Sequence, residues 1–373
     1  MKIGIVCYPT FGGSGVVATE LGKALAEKGH KVHFITYSQP VKLDTFSPNI
    51  YYHEVSMAHY PLFDYAPYEL VLSSKIVDVV RYYKLDLLHV HYAIPHASAA
   101  YMAKQVLAGH GMKLPFITTL HGTDITLLGK DASFEPVITF SINESDAVTA
   151  VSQSLKDDTL KYFKVNREIK VIPNFVCLHE YDISDRDEKR NKYIKPGEKI
   201  LLHISNFRKV KRVEDVVRVF DRVRKEIPSK LLLIGDGPEK MSIEQMCRET
   251  AFCHDIHCLG NLKDVEKIIG IADLFLLPSE TESFGLAALE AMAAKVPVIS
   301  SNTGGIPEVN VHGFSGMLSS IGDIDDMAKN AVTLLKDVNL HKKFSENAYR
   351  QAKKFSIENI LPLYEKVYED VMV

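Results

Sequence analysis

The chain has 373 residues, 46% of them hydrophobic, which is material for two cores of ordinary size, and it holds no uninterrupted apolar run long enough to cross a bilayer. A formal net charge of -3 supplies no general electrostatic footprint for nucleic acid. Five cysteines, an odd count without a regular framework, suit a reducing compartment, and Met1 leads straight into a strand-like segment with no signal peptide, so a cytoplasmic protein is expected.

The first predicted strand, residues 2–8, feeds Pro9-Thr10-Phe11-Gly12-Gly13-Ser14-Gly15 and then a predicted helix over residues 16–28. A glycine-rich turn between strand and helix lets backbone N–H groups approach an anion closely. A merely tight turn is the plainer alternative. Gly13-Ser14-Gly15-Val16-Val17-Ala18 also satisfies the dinucleotide pattern G-x-G-x-x-A. An NAD enzyme would then need an acidic residue after the second strand, residues 31–36, to bind the ribose, and Tyr37-Ser38-Gln39 stands there instead. That argues against a nicotinamide cofactor.

Further strands are predicted at 87–91, 116–120, 147–151 and 169–172, alternating with helical segments as in a doubly wound parallel sheet. His89-Val90-His91-Tyr92 and Thr118-Thr119-Leu120-His121-Gly122-Thr123-Asp124 fall at strand ends, and His89, inside an apolar strand, reads as structural. Pro173-Asn174-Phe175 reads as a crossing between domains, and the charged segment 182–192 as a solvated loop and helix.

Strands resume at 199–205, 231–235, 257–259, 273–277 and 298–300, giving a second doubly wound unit without sequence repeat. Ser205-Asn206-Phe207-Arg208-Lys209-Val210-Lys211-Arg212 ends the first of these and gathers cations at a strand end; a basic surface patch is the alternative. Cys247, Cys253, His254, His257 and Cys258 lack a zinc spacing, and Ile256, Cys258 and Leu259 read as the inward side of a short strand, so no metal site is expected. Residues 273–309 are the most informative stretch. A buried strand, Pro278, and a predicted helix over 284–294 put a loop at the carboxyl end of a strand, where open α/β sheets bind ligands. Ser283, Phe284 and Gly285 then offer helix-start N–H groups to a diphosphate. Glu282 in the loop and Glu290 in the helix need not point the same way and can take different tasks. By themselves they also fit two solvated acids at a helix entry.

Together these segments resemble the donor-site signature of glycosyltransferase family 4, retaining enzymes of the GT-B fold. The resemblance rests on Glu282 and Glu290 as an E-x7-E pair, on Asn206 to Lys211, on Gly235-Asp236-Gly237-Pro238, on Leu259-Gly260-Asn261 and on Thr303-Gly304-Gly305-Ile306-Pro307-Glu308. It implies an α/β protein with two Rossmann-like doubly wound parallel-sheet domains facing each other across a cleft. Residues 1–172 would bind the acceptor and 173–356 the UDP-sugar, with helix 357–373 packing back onto the first domain. In that resemblance the reacting groups are Glu282, Lys211, Arg208 and His121. Lys211 matches the family's lysine, whereas Asn206 stands where the family usually has arginine and Arg208 lies two residues further on. Donor contacts are implied for Gly13, Ser14, Gly15, Ser205, Asn206, Gly235, Gly260, Asn261, Ser283, Phe284, Gly285, Leu286 and Glu290, the last with the ribose. Acceptor contacts are implied for Gly12, Ser14, Tyr92, Thr119, His121 and Asn174.

The longer combination CYPTFGGSG, HVHYAIPHA, LHGTDITLLG and SNFRKVKRVEDV is similar, nearly end to end, to the branch of the family that joins N-acetylglucosamine from UDP-GlcNAc to L-malate in bacillithiol synthesis. That implies two small-molecule substrates, no cofactor and no metal, and leaves self-association open. Three other readings make different demands. A family 4 enzyme using a UDP- or GDP-sugar on a lipid or sugar acceptor would be expected to show an apolar or basic membrane-docking stretch, which is not evident. An NAD-dependent oxidoreductase needs the missing acidic ligand, and a non-catalytic nucleotide-binding module would bind UDP without turnover.

Overall fold

Runs of Val, Ile and Leu bounded by Gly, Pro and Asp build strands buried on both faces, as a parallel sheet covered by helices requires. A computed structural model describes residues 1–10, 12–43, 47–56, 67–127, 131, 133–182, 186–262 and 264–372. The chain divides into one unit of Met1–Asn174 with Ile357–Val373 and a second of Phe175–Ser356.

The first unit holds strands β1 (Lys2–Val6), β2 (Lys31–Thr36), β3 (Ile50–Glu54), β4 (Leu87–His91), β5 (Phe116–Leu120), β6 (Ala147–Ala150) and β7 (Ile169–Val171). They form one sheet of order β3-β2-β1-β4-β5-β6-β7, parallel throughout. Helices α1 (Gly13–Glu27), α2 (Tyr68–Tyr83), α3 (Ser98–Ala108), α4 (Glu135–Asn143) and α5 (Gln153–Tyr162) make the connections. Chain order reverses at β1, which pairs with β2 on one side and β4 on the other. The loops after β1 and β4 therefore part at the carboxyl ends of the strands, the place where such sheets bind ligands.

The second unit repeats the plan with β8 (Lys199–Ile204), β9 (Ser229–Ile234), β10 (Ile256–Gly260), β11 (Leu274–Leu277), β12 (Val298–Ser301) and β13 (Gly316–Ser319), in the order β10-β9-β8-β11-β12-β13. Its helices are α6 (Arg186–Arg190), α7 (Val213–Glu226), α8 (Lys240–Glu249), α9 (Val265–Ile269), α10 (Leu286–Ala293), α11 (Ile306–Val309), α12 (Ile324–Lys336) and α13 (Val338–Ala352). The reversal here falls between β8 and β11. The last helix, α14 (Ile357–Met372), belongs to the first unit, where Tyr364 and Tyr368 are fully buried. Burial of two large rings dominates that docking, because the Lys28–Glu365 and Lys170–Asp370 pairs sit near the surface, where ion pairs contribute at most about 1 kcal/mol.

Two expectations need correction, and a third gains a role. Residues 186–190 form the solvated helix expected, with no buried residue, and two of its arginines also reach inward: Arg190 donates to Asp273 at 2.6 Å and to the Ile271 carbonyl at 2.6 Å, and Arg186 donates to the carbonyls of Gly270 and Ala272. They cap the backbone that leads into β11, while Asp273 also accepts the Ile200 N–H at 2.7 Å. Cys258 points outward rather than into the core, and among the described residues Cys247, Cys253, His254, His257 and Cys258 do not gather three ligand atoms around one point. The helix expected from residue 284 begins at Leu286, because Gly285 at φ 92° lies in the left-handed region and cannot continue a right-handed helix. Among the described residues no helix is long and apolar enough to cross a membrane.

Candidate active site

In the second unit the carboxyl ends of four adjacent strands carry the residues singled out by sequence. The β8 end runs into Ser205–Arg212 and the β11 end into the Glu282 loop, and the two loops are joined by backbone and side chain. The Glu280 N–H donates to the Val210 carbonyl at 2.8 Å, and Lys211 Nζ donates to Glu282 Oε1 at 2.5 Å. Both side chains of that ion pair are mostly buried, at 19% and 15% exposure, so the charge-assisted bond is little screened. Ser279 Oγ lies 3.3 Å from the same carboxylate oxygen. Arg212 turns away to Asp215 at 2.6 Å. Arg208 and Lys209 are exposed, and among the described residues neither has an acidic partner. Asn206 is exposed as well, its carbonyl accepting the Arg208 N–H at 2.6 Å. A cluster of cations thus survives at the strand end with Lys211 already engaged.

The loop holding Glu282 is shaped by what packs beneath it. Gly305 N–H donates to the Glu282 carbonyl at 2.9 Å, and Gly304 has φ 55° with its would-be Cβ only 2.0 Å from that carbonyl oxygen. No residue with a side chain fits there without moving Glu282. Phe284 is 3% exposed and meets the Phe355 ring edge-on at 5.7 Å, so it anchors the loop by packing. The N–H groups of Phe284, Gly285 and Leu286 donate to no protein acceptor among the described residues, as helix-start amides must. Ser283 and Glu290 are half-buried at the start and middle of that segment.

On the other side of β8, Ser205 N–H donates to the Ile234 carbonyl at 3.2 Å and Gly235 N–H to the Gly260 carbonyl at 2.9 Å, bringing Ser205, Gly235 and Gly260 to neighbouring strand ends, with Asn261 exposed beside them. His203 sets the hydroxyl of Ser205. Its Nδ1 lies 2.8 Å from the Leu276 carbonyl, which can only accept, so Nδ1 carries the proton and Nε2 takes the Ser205 O–H at 2.8 Å. Burial holds this imidazole neutral, lowering it to about 4. Sequence reasoning missed His203, whose only local sign is a polar residue inside an apolar strand.

In the first unit, Gly12 caps α1 and Gly13 to Gly15 form its first turn. A Cβ on Gly15 would lie 2.4 Å from the Tyr8 carbonyl, so the helix can approach the strand this closely only with glycine there. The amides of Gly13 and Ser14 donate to no protein acceptor among the described residues. Tyr92, after β4, donates its hydroxyl to Ser14 Oγ at 2.6 Å, so Ser14 and Tyr92 meet at the sheet's reversal point. Tyr92 sits at φ 86°, a strained conformation for a non-glycine residue, and the next N–H, of Ala93, donates to the buried Asp124 carboxylate at 2.7 Å. Burial raises Asp124 to about 6 against the pull of its backbone hydrogen bonds. His121 follows β5, its ring 5.2 Å from that of Tyr92 and its Nε2 2.8 Å from His91 Nδ1.

Two expected acceptor contacts are placed differently. Thr119 is wholly buried with its hydroxyl shared between His89 at 2.7 Å and Thr149 at 2.7 Å, so it supports the site from below rather than facing a ligand. Asn174 is 6% exposed at the end of this unit, and its Oδ1 has no partner among the described residues. His89 is structural, as its apolar surroundings suggested, with Tyr368 on Nδ1 and Thr119 on Nε2. Tyr8, His91, His96 and Asp124 join the group without having been singled out: the Tyr8 ring lies 4.6 Å from that of His96, whose Nδ1 donates to the His91 carbonyl.

Comparison with known proteins places these two strand ends in context. The model of Glycosyltransferase Family 4 matches residues 11–180, and that of Glycosyl transferases group 1 matches residues 185–351. N-acetyl-alpha-D-glucosaminyl L-malate synthase of Bacillus anthracis is 49% identical over 374 residues, covering 100% of this chain and 97% of that protein. Among solved structures, Anabaena HepE in complex with UDP and glucose superposes with a TM-score of 0.83 at 19% identity, covering 99% of both chains. Sucrose-phosphate synthase from Thermosynechococcus elongatus superposes with a TM-score of 0.82 at 20% identity, covering 100% of this chain and 99% of that one. These two likenesses bear on the fold alone, that of GT-B glycosyltransferases with two parallel-sheet Rossmann-like domains.

Proposed function

This chain belongs to glycosyltransferase family 4, and on that premise we propose that it transfers N-acetylglucosamine from UDP-GlcNAc to the hydroxyl of L-malate with retention, opening bacillithiol synthesis. The coarser statement, that it is a hexosyltransferase, needs no proposal. The observation that carries the finer one is the 49% identity, over the whole length, to a protein named as GlcNAc-malate synthase.

The second unit binds the donor. Glu290 takes the ribose hydroxyls, the Ser205, Gly235, Gly260 and Asn261 strand ends take the uracil, and the diphosphate lies against Lys211, Arg208 and the helix-start amides of Phe284, Gly285 and Leu286. As the sugar C1–O bond to phosphate breaks, negative charge grows on the departing UDP and these preorganised donors stabilise it. Glu282, already bonded to Lys211, positions both the lysine and the sugar. The malate hydroxyl attacks C1 on the face the phosphate leaves, its proton passing to the departing phosphate oxygen. Gly12, Ser14, Tyr92 and His121 contact the acceptor, and Gly13, Ser14 and Gly15 also serve the donor. Lysine, arginine and amides supply the positive charge a divalent cation would otherwise bring, so no metal is required.

Mass spectrometry of products from UDP-GlcNAc with L-malate and a panel of other hydroxy acids tests the reading. GlcNAc-malate and UDP are expected, with turnover nearly unchanged in EDTA and an α-anomeric coupling in the proton NMR of fresh product. No malate product, or preference for another acceptor or donor, removes the substrate assignment. A β product, or activity lost in EDTA and restored by Mg²⁺, removes the mechanism.

A further inference from the structure

The face of the first sheet covered by α14 carries two polar rows where a parallel sheet ordinarily holds apolar side chains. Side chains alternate along a strand, so His89 and His91 share one side of β4, and Thr119 and His121 share one side at the end of β5. The lower row closes on itself: Tyr368, His89, Thr119 and Thr149 are linked by bonds of 2.8, 2.7 and 2.7 Å. The upper row stays open at both ends. His91 Nδ1 lies 2.8 Å from His121 Nε2, and His91 Nε2 is buried without a partner among the described residues. His121 is only half-buried, and its Nδ1 reaches solvent with no protein partner among the described residues.

The hydrogen bond between the two neutral rings allows two proton arrangements. If His121 donates from Nε2, His91 must carry its own proton on Nε2, a strong donor sealed in the core with nothing to receive it. If His91 donates from Nδ1, its Nε2 is left as a bare lone pair, and His121 carries its proton on the open Nδ1. Orphaned buried N–H groups are the rarer and costlier of the two defects. The surroundings also keep both rings uncharged: burial lowers His121 to about 3 and His91 well below the usual imidazole value.

We infer that His91 is a positioning residue that fixes His121 in the Nδ1–H tautomer, presenting a neutral hydrogen-bond donor to a substrate oxygen beside Tyr92 and Ser14. The substrate part of this inference rests on the glycosyltransfer reading above; the tautomer does not. A donor at Nδ1 complements a hydroxyl or carboxylate oxygen and cannot serve as a base at that nitrogen, so His121 orients the acceptor rather than deprotonating it.

Two-bond proton–nitrogen correlation spectra of the whole chain with labelled imidazoles, His121 being assigned by the signal lost in H121Q, read the tautomer directly. The proton is expected on Nδ1 in the wild type and in H91N, whose side-chain amide can donate from the place of Nδ1, and to move toward Nε2 in H91F. With UDP-GlcNAc and L-malate, H91F should lose about tenfold in kcat/KM for malate, the worth of one lost hydrogen bond, and H91N should recover most of it. UDP affinity should stay unchanged in both, because the second unit is untouched. A wild-type His121 protonated on Nε2 overturns the inference whatever the turnover, as does an H91F that keeps both the Nδ1 proton and full activity. If H91F does not fold, the wild-type and H91N spectra still decide. A wild type that transfers nothing to malate removes the functional reading and leaves the tautomer result standing.

Discussion

Acidification from pH 7 to pH 5 is expected to unfold the unit holding the N-terminus well before the Phe175–Ser356 unit. Among the described residues burial lowers seven imidazoles of the first unit, His89 and His121 to about 3, His33 and His96 to about 4, His91 well below its usual value, and His30 and His53 in the same direction, whereas the second unit has His203 at about 4 and a lowered His257. A histidine whose folded value lies below its unfolded value of about 6.5 takes up a proton only in the unfolded chain in this window. Its contribution is therefore intact above that unfolded value and is lost as the pH falls toward the folded one. Each of the five groups brought to about 3 or 4 costs about 2 kcal/mol of stability between the two pH values, so the four in the first unit cost about 8 kcal/mol and His203 in the second costs about 2 kcal/mol. Asp124 acts with the opposite sign. Its carboxyl is raised to about 6, so its ionised form is penalised at neutral pH, and protonation returns about 1 kcal/mol. The net loss for the first unit, about 6 to 7 kcal/mol, is comparable with the whole stability of a domain, about 5–15 kcal/mol.

Limited proteolysis at pH 7 and pH 5, with the first cuts mapped by mass spectrometry, reads the two units separately, and circular dichroism in the tyrosine region follows the same loss in a chain without tryptophan. First cuts at pH 5 are expected inside the N-terminal unit while 175–356 resists. First cuts confined to 175–356, or equal loss from both, would refute the assignment of neutral buried imidazoles as the dominant acid-sensitive groups.

Lys211→Ala should lower turnover by about a hundredfold or more, because in the proposed transfer Lys211 stabilises charge that grows as the sugar-phosphate bond breaks. Arg208→Ala and Asn206→Ala decide between two residues that are both exposed at the β8 end: a turnover that survives the first and falls in the second would move the family's arginine role to Asn206. Glu290→Ala is expected to weaken UDP-sugar binding more than the chemical step, and an unchanged UDP affinity by calorimetry would take Glu290 out of the donor site. Gly304→Ala puts a methyl 2.0 Å from the Glu282 carbonyl oxygen at a φ of 55°, so urea unfolding should report a loss of about 1–3 kcal/mol and turnover should fall with it. Unchanged stability there would mean the loop yields and Glu282 is not held by its backbone.

The strands that sequence made legible are those in which apolar residues dominate, with single polar interruptions such as His89 and His203 or the Thr118-Thr119 pair. β1, β4, β5, β8 and β11 sit at or beside the reversal of each sheet and must be buried on both faces. β3, Ile-Tyr-Tyr-His-Glu, is a half-exposed edge with neither a continuous apolar run nor clean alternation, and β13 is four residues starting with glycine; neither was anticipated. The Lys211–Glu282 and Ser14–Tyr92 meetings join residues 71 and 78 positions apart, which only the reversed strand order brings together. His91 was passed over beside the structural His89, although parity holds the signal. β4 and β5 pair with His91 opposite Thr119, so His89 with Thr119 and His91 with His121 fall on one face. A histidine row across two central strands is not a packing pattern, and it marks where a buried polar network has displaced apolar core.

The same topology produces both strand ends, so the chemistry that separates them lies in the side chains. Each unit reverses strand order at its first strand and opens a crevice there with unpaired amides nearby. In the second unit the crevice is ionic: Arg208, Lys209 and Lys211 on one loop, Glu282 on the other. In the first, among the described residues, it is lined by hydroxyls, amides and imidazoles that burial keeps neutral, and the Asp124 carboxyl is already engaged by the backbone of the Tyr92 turn. A diphosphate gains most where a cation is already oriented by a carboxylate and has donors to spare, and Lys211 is so held by Glu282. An ammonium has three donors, so Lys211 can take a phosphate oxygen while keeping Glu282, and neither buried charge has to stand alone. A small carboxylate-bearing acceptor can instead be held by directional donors of fixed geometry, which is what Ser14, Tyr92 and an Nδ1-protonated His121 offer. On the proposed function, the division of labour between donor and acceptor would follow from which strand end carries net charge and which carries oriented dipoles.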